Sequence, residues 1–297
     1  MRALALIPLP GNESVAAELA PMLEAEVLLP LVRRFPDGES HVRIDADLHG
    51  RATALVCSLD RPDDKFLQLL FAAATATDLG AGSVGLIVPY LPYMRQDGRF
   101  QRGEAISAKL FASFLSPHID WLVTVDPHLH RIHALTEVYR VRSIVLRASE
   151  QIAQFVAEQV PDPLIVGPDR ESAELATAVA QLLRAPLETF AKQRTGDRNV
   201  VATASENLGN WRDRTPVIVD DIISSGSTMI EALGVLSAAG MRPPVCIGVH
   251  AIFSGDAYGV LERAGAARIL TTNTIAHPSN AIDIVPLLAS GVKTAIA

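Results

Sequence analysis

Along the chain, short runs of Val, Ile and Leu alternate with longer stretches whose apolar residues recur every three or four positions. Unbroken apolar runs of about four to eight residues suit strands buried on both faces, and the longer stretches suit helices laid against them. The predicted strands are Leu4 to Pro8, Thr53 to Leu59, Val84 to Pro89, Leu122 to Asp126, Leu164 to Gly167, Leu187 to Ala191, Val217 to Asp221, Val245 to Ile252 and Arg268 to Thr272. The predicted helices are Asp63 to Leu79, Glu104 to Leu115, Ser149 to Glu158, Glu171 to Leu183 and Ser227 to Ala239. This alternation predicts an α/β protein with largely parallel sheets. The pattern breaks between Arg34 and Ile44, where Pro36-Asp37-Gly38 separates an apolar run from His41-Val42-Arg43-Ile44 in the manner of a hairpin turn.

A length of 297 residues suggests two domains. An internal echo supports the division: LVTVD ends at Asp126 and VIVDD at Asp221, while CSLDRPDD and IVGPDRES each run from a strand through an Asp into a helix. The expected boundary separates residues 1–146 from 147–297. Hydrophobic residues make up 49% and charged residues 20%, a globular balance that excludes disorder and fibrous rods. With 26 basic against 33 acidic residues the net charge is −7, which argues against a general nucleic-acid or anionic-membrane surface. Phosphate binding must then be local. Cys57 and Cys246 lie in apolar runs and read as buried thiols, so no disulfide framework is expected. The run Ala3 to Leu9 is short and interrupted by proline, unlike a secretory signal, and no apolar stretch approaches the roughly 18 residues that span a bilayer. The expectation is a soluble, cytoplasmic protein.

In open α/β sheets ligands sit beyond the carboxyl ends of the strands, so chemistry is sought there. In Val217 to Met229, VIVDDIISSGSTM, a buried strand delivers Asp220 and Asp221, then Ser224, Ser225, Gly226, Ser227 and Thr228 open a helix. The free N–H groups of that helix start, its hydroxyls and the positive end of its dipole form a cradle for a phosphate, with the carboxylates placed to accept hydrogen bonds from sugar hydroxyls. After Val88 come Arg95, Gln96 and Asp97 and a loop with Arg99 and Arg102. Guanidinium forks suit a polyphosphate, although a solvated basic loop has the same composition. In Asp126 to His133, DPHLHRIH, His128 and His130 share a side if the chain stays extended while His133 faces elsewhere, which argues against a three-histidine site and leaves one contact to phosphate or a hydrated metal beside a plain surface or structural role. Asp169, again at a strand end, is a hard oxygen ligand of the kind Mg²⁺ takes. Lys192 to Asn199, KQRTGDRN, carries cations that could close over a reacting phosphate, or simply form a charged hairpin tip. Gly80, Gly82 and Gly85 spell GxGxxG but follow a helix and precede a strand, the reverse of the dinucleotide-binding order, and no Walker A sequence occurs.

VDDIISSGST resembles the phosphoribosyl-diphosphate loop of type I phosphoribosyltransferases. With FPDGE (Phe35 to Glu39), YMRQD, ISAKL (Ile106 to Leu110), DPHLH, GPD and KQR in order, the chain resembles the ribose-phosphate diphosphokinase family from about residue 5 to residue 290. The resemblance implies two tandem type I phosphoribosyltransferase-like domains, each a mainly parallel sheet flanked by helices, the first on the ATP side and the second on the ribose 5-phosphate side, with the last residues returning to the first domain. It implies that the β,γ-diphosphoryl group of MgATP passes to ribose 5-phosphate. Phe35, Asp37 and Glu39 would reach the adenine of a neighbouring subunit, requiring at least a homodimer. Arg95, Gln96, Asp97 and His128 would serve ATP, and His128 and Asp169 would lie near Mg²⁺. Asp220, Asp221 and Ser224 to Thr228, joined by Arg194, would hold ribose 5-phosphate, and Lys192 and Arg194 would be catalytic.

Departures from the common bacterial and animal form are Pro127, Arg170 and Glu171 beside the metal carboxylate, and the loop Ser224 to Thr228, which is similar to that of the archaeal-type branch. A phosphoribosyltransferase would share only the Asp220 loop, a regulatory homologue would lack catalytic cations or metal ligands, and a metal-dependent phosphohydrolase would leave that loop unexplained.

Overall fold

The apolar runs form the strands of two six-stranded parallel sheets, one in each of two units of the computed structural model. Residues 4–195, 199–203 and 208–297 are described, with the backbone alone at 191–195 and 199–203. One unit comprises Met1–Leu146 and Val285–Ala297, the other Arg147–Ile284.

The first unit runs β1 (Ala5–Pro8), α1 (Glu13–Leu23), β2 (Glu26–Val27), β3 (Leu31–Arg34), β4 (Ser40–Arg43), β5 (Ala52–Val56), α2 (Pro62–Asp78), β6 (Ser83–Ile87), α3 (Ser107–Leu115), β7 (Trp121–Val125) and β8 (Arg142–Leu146). Its sheet has the order β2-β1-β5-β6-β7-β8, parallel throughout. Every residue of β1 and β7 is buried, which is why these strands carry no polar alternation. The expected hairpin forms from β3 and β4, paired antiparallel. The rejected glycine pattern has a packing cause: Gly85 pairs with Trp121, and a Cβ at Gly85 would lie 2.0 Å from indole carbons.

The second unit runs α4 (Ser149–Gln159), β9 (Pro163–Gly167), α5 (Ala173–Leu183), β10 (Leu187–Thr189), β11 (Ala191–Thr195), β12 (Asn199–Thr203), β13 (Thr215–Ile223), α6 (Ser227–Ala238), β14 (Val245–Ala251), α7 (Ala257–Arg263), β15 (Arg268–Thr272) and β16 (Asn280–Ile282). Its sheet order, β10-β9-β13-β14-β15-β16, repeats that of the first unit strand for strand. The hairpins also correspond, since β11–β12 follows β10 as β3–β4 follows β2. Lys192 and Arg194 therefore lie on a strand, where a loop was expected from their charge; β11 pairs with β12, whose Asn199-Val-Val-Ala-Thr203 has strand-forming composition. Residues 196–198, within the expected catalytic loop, lie outside the described residues.

One helix crosses the order of the chain. α8 (Val285–Ile296) packs on α1, β7 and β8 of the first unit, in the place that α4 occupies on α5 in the second. Gly291 permits this close approach, because a Cβ there would stand 2.8 Å from Leu146 and Val123. Arg142 Nη1 donates to the carbonyl of Ala295 at 3.0 Å and ties the helix end to β8. Among the described residues no helix is long and apolar enough to cross a membrane.

Candidate active site

In the second unit β13 outruns its neighbour. It pairs with β9 only from Thr215 to Ile218 but continues beside β14 to Ile223, which carries Asp220 and Asp221 past the end of β9. Asp220 is buried and Asp221 half-buried, and the Asp221 N–H donates to Asp220 Oδ1 at 3.0 Å. Burial first, and then the charges of Asp221 and Asp169, push the Asp220 carboxyl well above the usual carboxylate range. Three carboxylates thus crowd the carboxyl ends of β9 and β13.

Beyond Ile223 the chain turns at Gly226, whose φ of +75° favours glycine and whose Cβ, if present, would press on Leu261 at 3.3 Å. α6 starts at the next residue without a side-chain cap and without an acid in its first turn. Its exposed start carries Ser225 and Ser227, with their hydroxyls 3.1 Å apart. The loop after β14 braces this turn from the side: the Phe253 N–H donates to Ile223 O at 2.8 Å, the Ser254 N–H to Ser224 O at 3.0 Å, and the two serine hydroxyls lie 3.1 Å apart. Sequence reading missed Ser254, which lies 30 residues away from Ser224 and carries no motif of its own.

Asp169 is held at the start of α5. Its Oδ1 accepts the N–H groups of Glu171 and Ser172 at 3.0 and 3.1 Å, and Ser172 Oγ donates to its carbonyl at 3.0 Å. Arg170 and Glu171, the charged departures beside it, are exposed.

In the first unit the segments after β6 and β7 leave adjacent strand ends. Arg95 and Gln96 are exposed, and Ser107 at the start of α3 donates to Gln96 Oε1. Asp126 closes β7 in a left-handed turn (φ +35°), after which His128 is half-buried and His130 exposed, their rings 6.3 Å apart on one side. Asp97 differs from expectation. It is buried, with Oδ2 accepting the Arg131 N–H at 2.8 Å and Oδ1 the Arg131 guanidinium at 3.0 Å. Burial alone would raise this carboxyl, but the hydrogen bonds and charge of Arg131 prevail and hold it below the usual range. An acid expected to face ATP is thus engaged by Arg131, a residue the sequence did not single out. Glu104 was another unrecognised brace, its Oε2 accepting the N–H groups of Phe100 and Gln101, both at 2.9 Å.

On the β3–β4 hairpin Phe35, Asp37 and Glu39 are exposed together. The Phe35 N–H donates to Glu39 O at 2.8 Å, and Gly38 turns the tip at φ +93°. Arg33 lies 4.6 Å over the Phe35 ring, and His41 meets its edge at 5.7 Å. Lys192 and Arg194 are placed by backbone alone on β11. Among the described residues no group of three or more His, Cys, Asp or Glu side chains converges to hold a metal.

Comparison with known proteins identifies the family. The model described as the N-terminal domain of ribose phosphate pyrophosphokinase matches residues 4–117, and the phosphoribosyl transferase domain model matches residues 135–284. The ribose-phosphate pyrophosphokinase of Methanothermobacter thermautotrophicus is 33% identical over 285 residues, covering 95% of this chain and 98% of that protein. That of Sulfurisphaera tokodaii is 34% identical, covering 94% and 97%. Both are archaeal, as the loop Ser224 to Thr228 suggested. The fold matches the crystal structure of phosphoribosylpyrophosphate synthetase from Mycobacterium smegmatis with a TM-score of 0.87 over 99% of both chains, at 24% identity. The chain belongs to the ribose-phosphate pyrophosphokinase family and is a diphosphotransferase.

Proposed function

We propose that this chain transfers the β,γ-diphosphoryl group of MgATP to the 1-hydroxyl of ribose 5-phosphate, giving 5-phosphoribosyl 1-diphosphate and AMP. The observation that carries this reading is the end of β13, where a carboxylate pair precedes a glycine-turned helix start bearing hydroxyls and no acid. A 5-phosphate fits the exposed start of α6, where first-turn N–H groups have no carbonyl partner within the helix and the helix dipole favours an anion. Asp220 and Asp221, one residue pair upstream of the turn, are acceptors for the ribose hydroxyls.

Arg95, Gln96 and His128 are assigned to the ATP phosphates, and Phe35, Asp37 and Glu39 to adenine in a homo-oligomer of at least two chains in the cytoplasm. The donor set suits Mg²⁺: Asp169 is a fixed, half-exposed carboxylate, and the crowding that raises Asp220 is relieved by a cation. Asp169 is the residue of the second unit assigned to it, enough for an ion that keeps most of its waters. When bound, Mg²⁺ neutralises charge on the phosphates.

In the reaction the 1-oxygen attacks the β-phosphorus, the bond to the α,β-bridging oxygen breaks, and that oxygen leaves with AMP while the hydroxyl proton is lost. Positioning and charge neutralisation dominate such transfers. Lys192 and Arg194 supply the cations that meet the charge on the group in flight, and Arg194 also joins the ribose phosphate contacts. ³¹P NMR of the protein with MgATP and ribose 5-phosphate tests the proposal: AMP and a sugar 1-diphosphate should grow in equal amounts. ADP in place of AMP would reveal a monophosphoryl kinase, and unchanged ATP a binding protein.

A further inference from the structure

We infer that Asp97 and Arg131 form a clasp that sets the ATP-phosphate residues of the first unit in register, so that Asp97 and Arg131 are positioning residues for the transfer rather than ligands of ATP. The inference rests on the reading of Arg95, Gln96 and His128 given above. Its geometry lies wholly within the first unit. β6 and β7 are neighbours in the sheet, and the segments that leave their ends diverge: one carries Arg95 and Gln96, the other His128. Asp97 and Arg131 rejoin them across 34 positions of sequence through two hydrogen bonds, at 2.8 and 3.0 Å.

The clasp is asymmetric in burial. The Asp97 side chain is 2% exposed, whereas that of Arg131 is 54% exposed, lying 4.9 Å over the Phe100 ring. Gly98 leaves room for the arginine stem, since a Cβ there would touch Arg131 Cδ at 3.4 Å. A buried carboxylate with both oxygens engaged cannot turn to a ligand without abandoning a buried charge. What it can do is hold the backbone at Arg131, three residues past His128, against the backbone at Asp97, one residue past Gln96. Ala108 N–H adds a hydrogen bond to the Gln96 carbonyl at 3.3 Å, so the first segment is also fastened to α3.

Arg131→Gln tests the clasp without emptying the interior, because the arginine head lies at the surface. In the full-length protein, kcat/KM for ATP should fall by about 10- to 100-fold, the range seen when a group that orients a ligand from behind is removed. The KM for ribose 5-phosphate should stay close to wild type, while the thermal unfolding midpoint should fall, since Asp97 then keeps only the Arg131 backbone N–H. Arg131→Lys should recover most of the loss, and Asp97→Asn combined with Arg131→Gln should be no worse than the poorer single variant. A change under twofold in Arg131→Gln, an equal change in the ribose 5-phosphate KM, or losses that multiply in the double variant would overturn the inference. A second readout is independent of turnover: the ring ¹H–¹⁵N resonances of His128 and His130 in the ligand-free protein should move in Arg131→Gln, and unmoved rings would sink the clasp even in an inactive enzyme. A wild-type protein that makes no AMP would instead refute the proposed reaction.

Discussion

α2 and α6 follow corresponding strands of two sheets with one strand order, and both bury four residues at the same spacing: Leu69, Ala72, Ala73 and Ala76 in one, Met229, Ala232, Leu233 and Leu236 in the other. Their starts are opposites. α2 begins with Pro62 and carries Asp63 and Asp64 in its first turn, with the Tyr93 hydroxyl on Asp63 and Arg34 against Asp64. Acids at that end satisfy the helix dipole from within the protein and repel any further anion. α6 leaves the same position to serines behind a glycine turn. The same helix packing thus carries an acidic start in one unit and, in the other, the acid-free start to which the ribose phosphate is assigned.

Two buried carboxylates repeat the contrast. Asp97 is held ionised by Arg131, while Asp220 is held towards its neutral form by burial and by Asp221 and Asp169. Asp97 contributes stability above the ordinary carboxylate range, lost as pH falls through its lowered value. The raised Asp220 works the other way: its contribution is complete below the ordinary range and is lost as pH rises through the raised value.

The largest break in the comparison should come from the hairpins. Lys192→Ala should lower kcat by about 10³- to 10⁵-fold, the scale of a cation supplied at a phosphoryl transition state. Ribose 5-phosphate affinity, measured by calorimetry, should barely change; a loss of activity under tenfold would remove Lys192 from the chemistry.

Ser227→Asp would give α6 the start that α2 has. Like unit charges about 4 Å apart near a surface repel by roughly 4 kcal/mol, so ribose 5-phosphate affinity should fall by up to about 10³-fold. The helix itself should gain about 0.3–1 kcal/mol in urea unfolding. Loss of affinity together with loss of stability would mean the start of α6 had simply been damaged.

Asp220→Asn should weaken ribose 5-phosphate binding by roughly 2- to 10-fold, the net worth of about one hydrogen bond. Stability at neutral pH should rise, and the gain that the wild type makes on acidification towards the ordinary carboxylate range should flatten. Unfolding midpoints of both proteins across pH would reveal the sign. If only the ATP dependence moved, the ribose assignment would fail.

The smallest effect belongs to Asp64→Ser, which should destabilise the protein by about 0.3–1 kcal/mol and leave both substrate affinities unchanged.

The apolar strands could be read from sequence because burial on both faces removes polar residues, leaving runs such as Leu164 to Gly167 and Val245 to Ala251. α1 could not, since Pro21 interrupts its pattern, and the two- and three-residue edge strands β2 and β16 leave almost no periodic signal. The Asp220 loop could be singled out because turn glycine, hydroxyls and acids are local to one segment. Asp97 was found as part of a motif but without its partner, because Arg131 is remote in sequence and only the adjacency of β6 and β7 brings the two together. The charge of KQRTGDRN suggested a loop, yet β11 continues through Lys192 and Arg194, since a two-stranded ribbon tolerates polar side chains.

The return of α8 sets an order of assembly during translation. β7 and β8 leave the ribosome with the first unit, but the helix that covers Val123 and Leu146 is made only after all of Arg147–Ile284. At about 5–20 residues per second that delay is roughly 7–30 s. The second unit, whose equivalent helix α4 precedes its sheet, faces no such wait. The unit made first is therefore completed after the second, and a chain stopped before Val285 would leave the first unit's core beside Val123 and Leu146 uncovered.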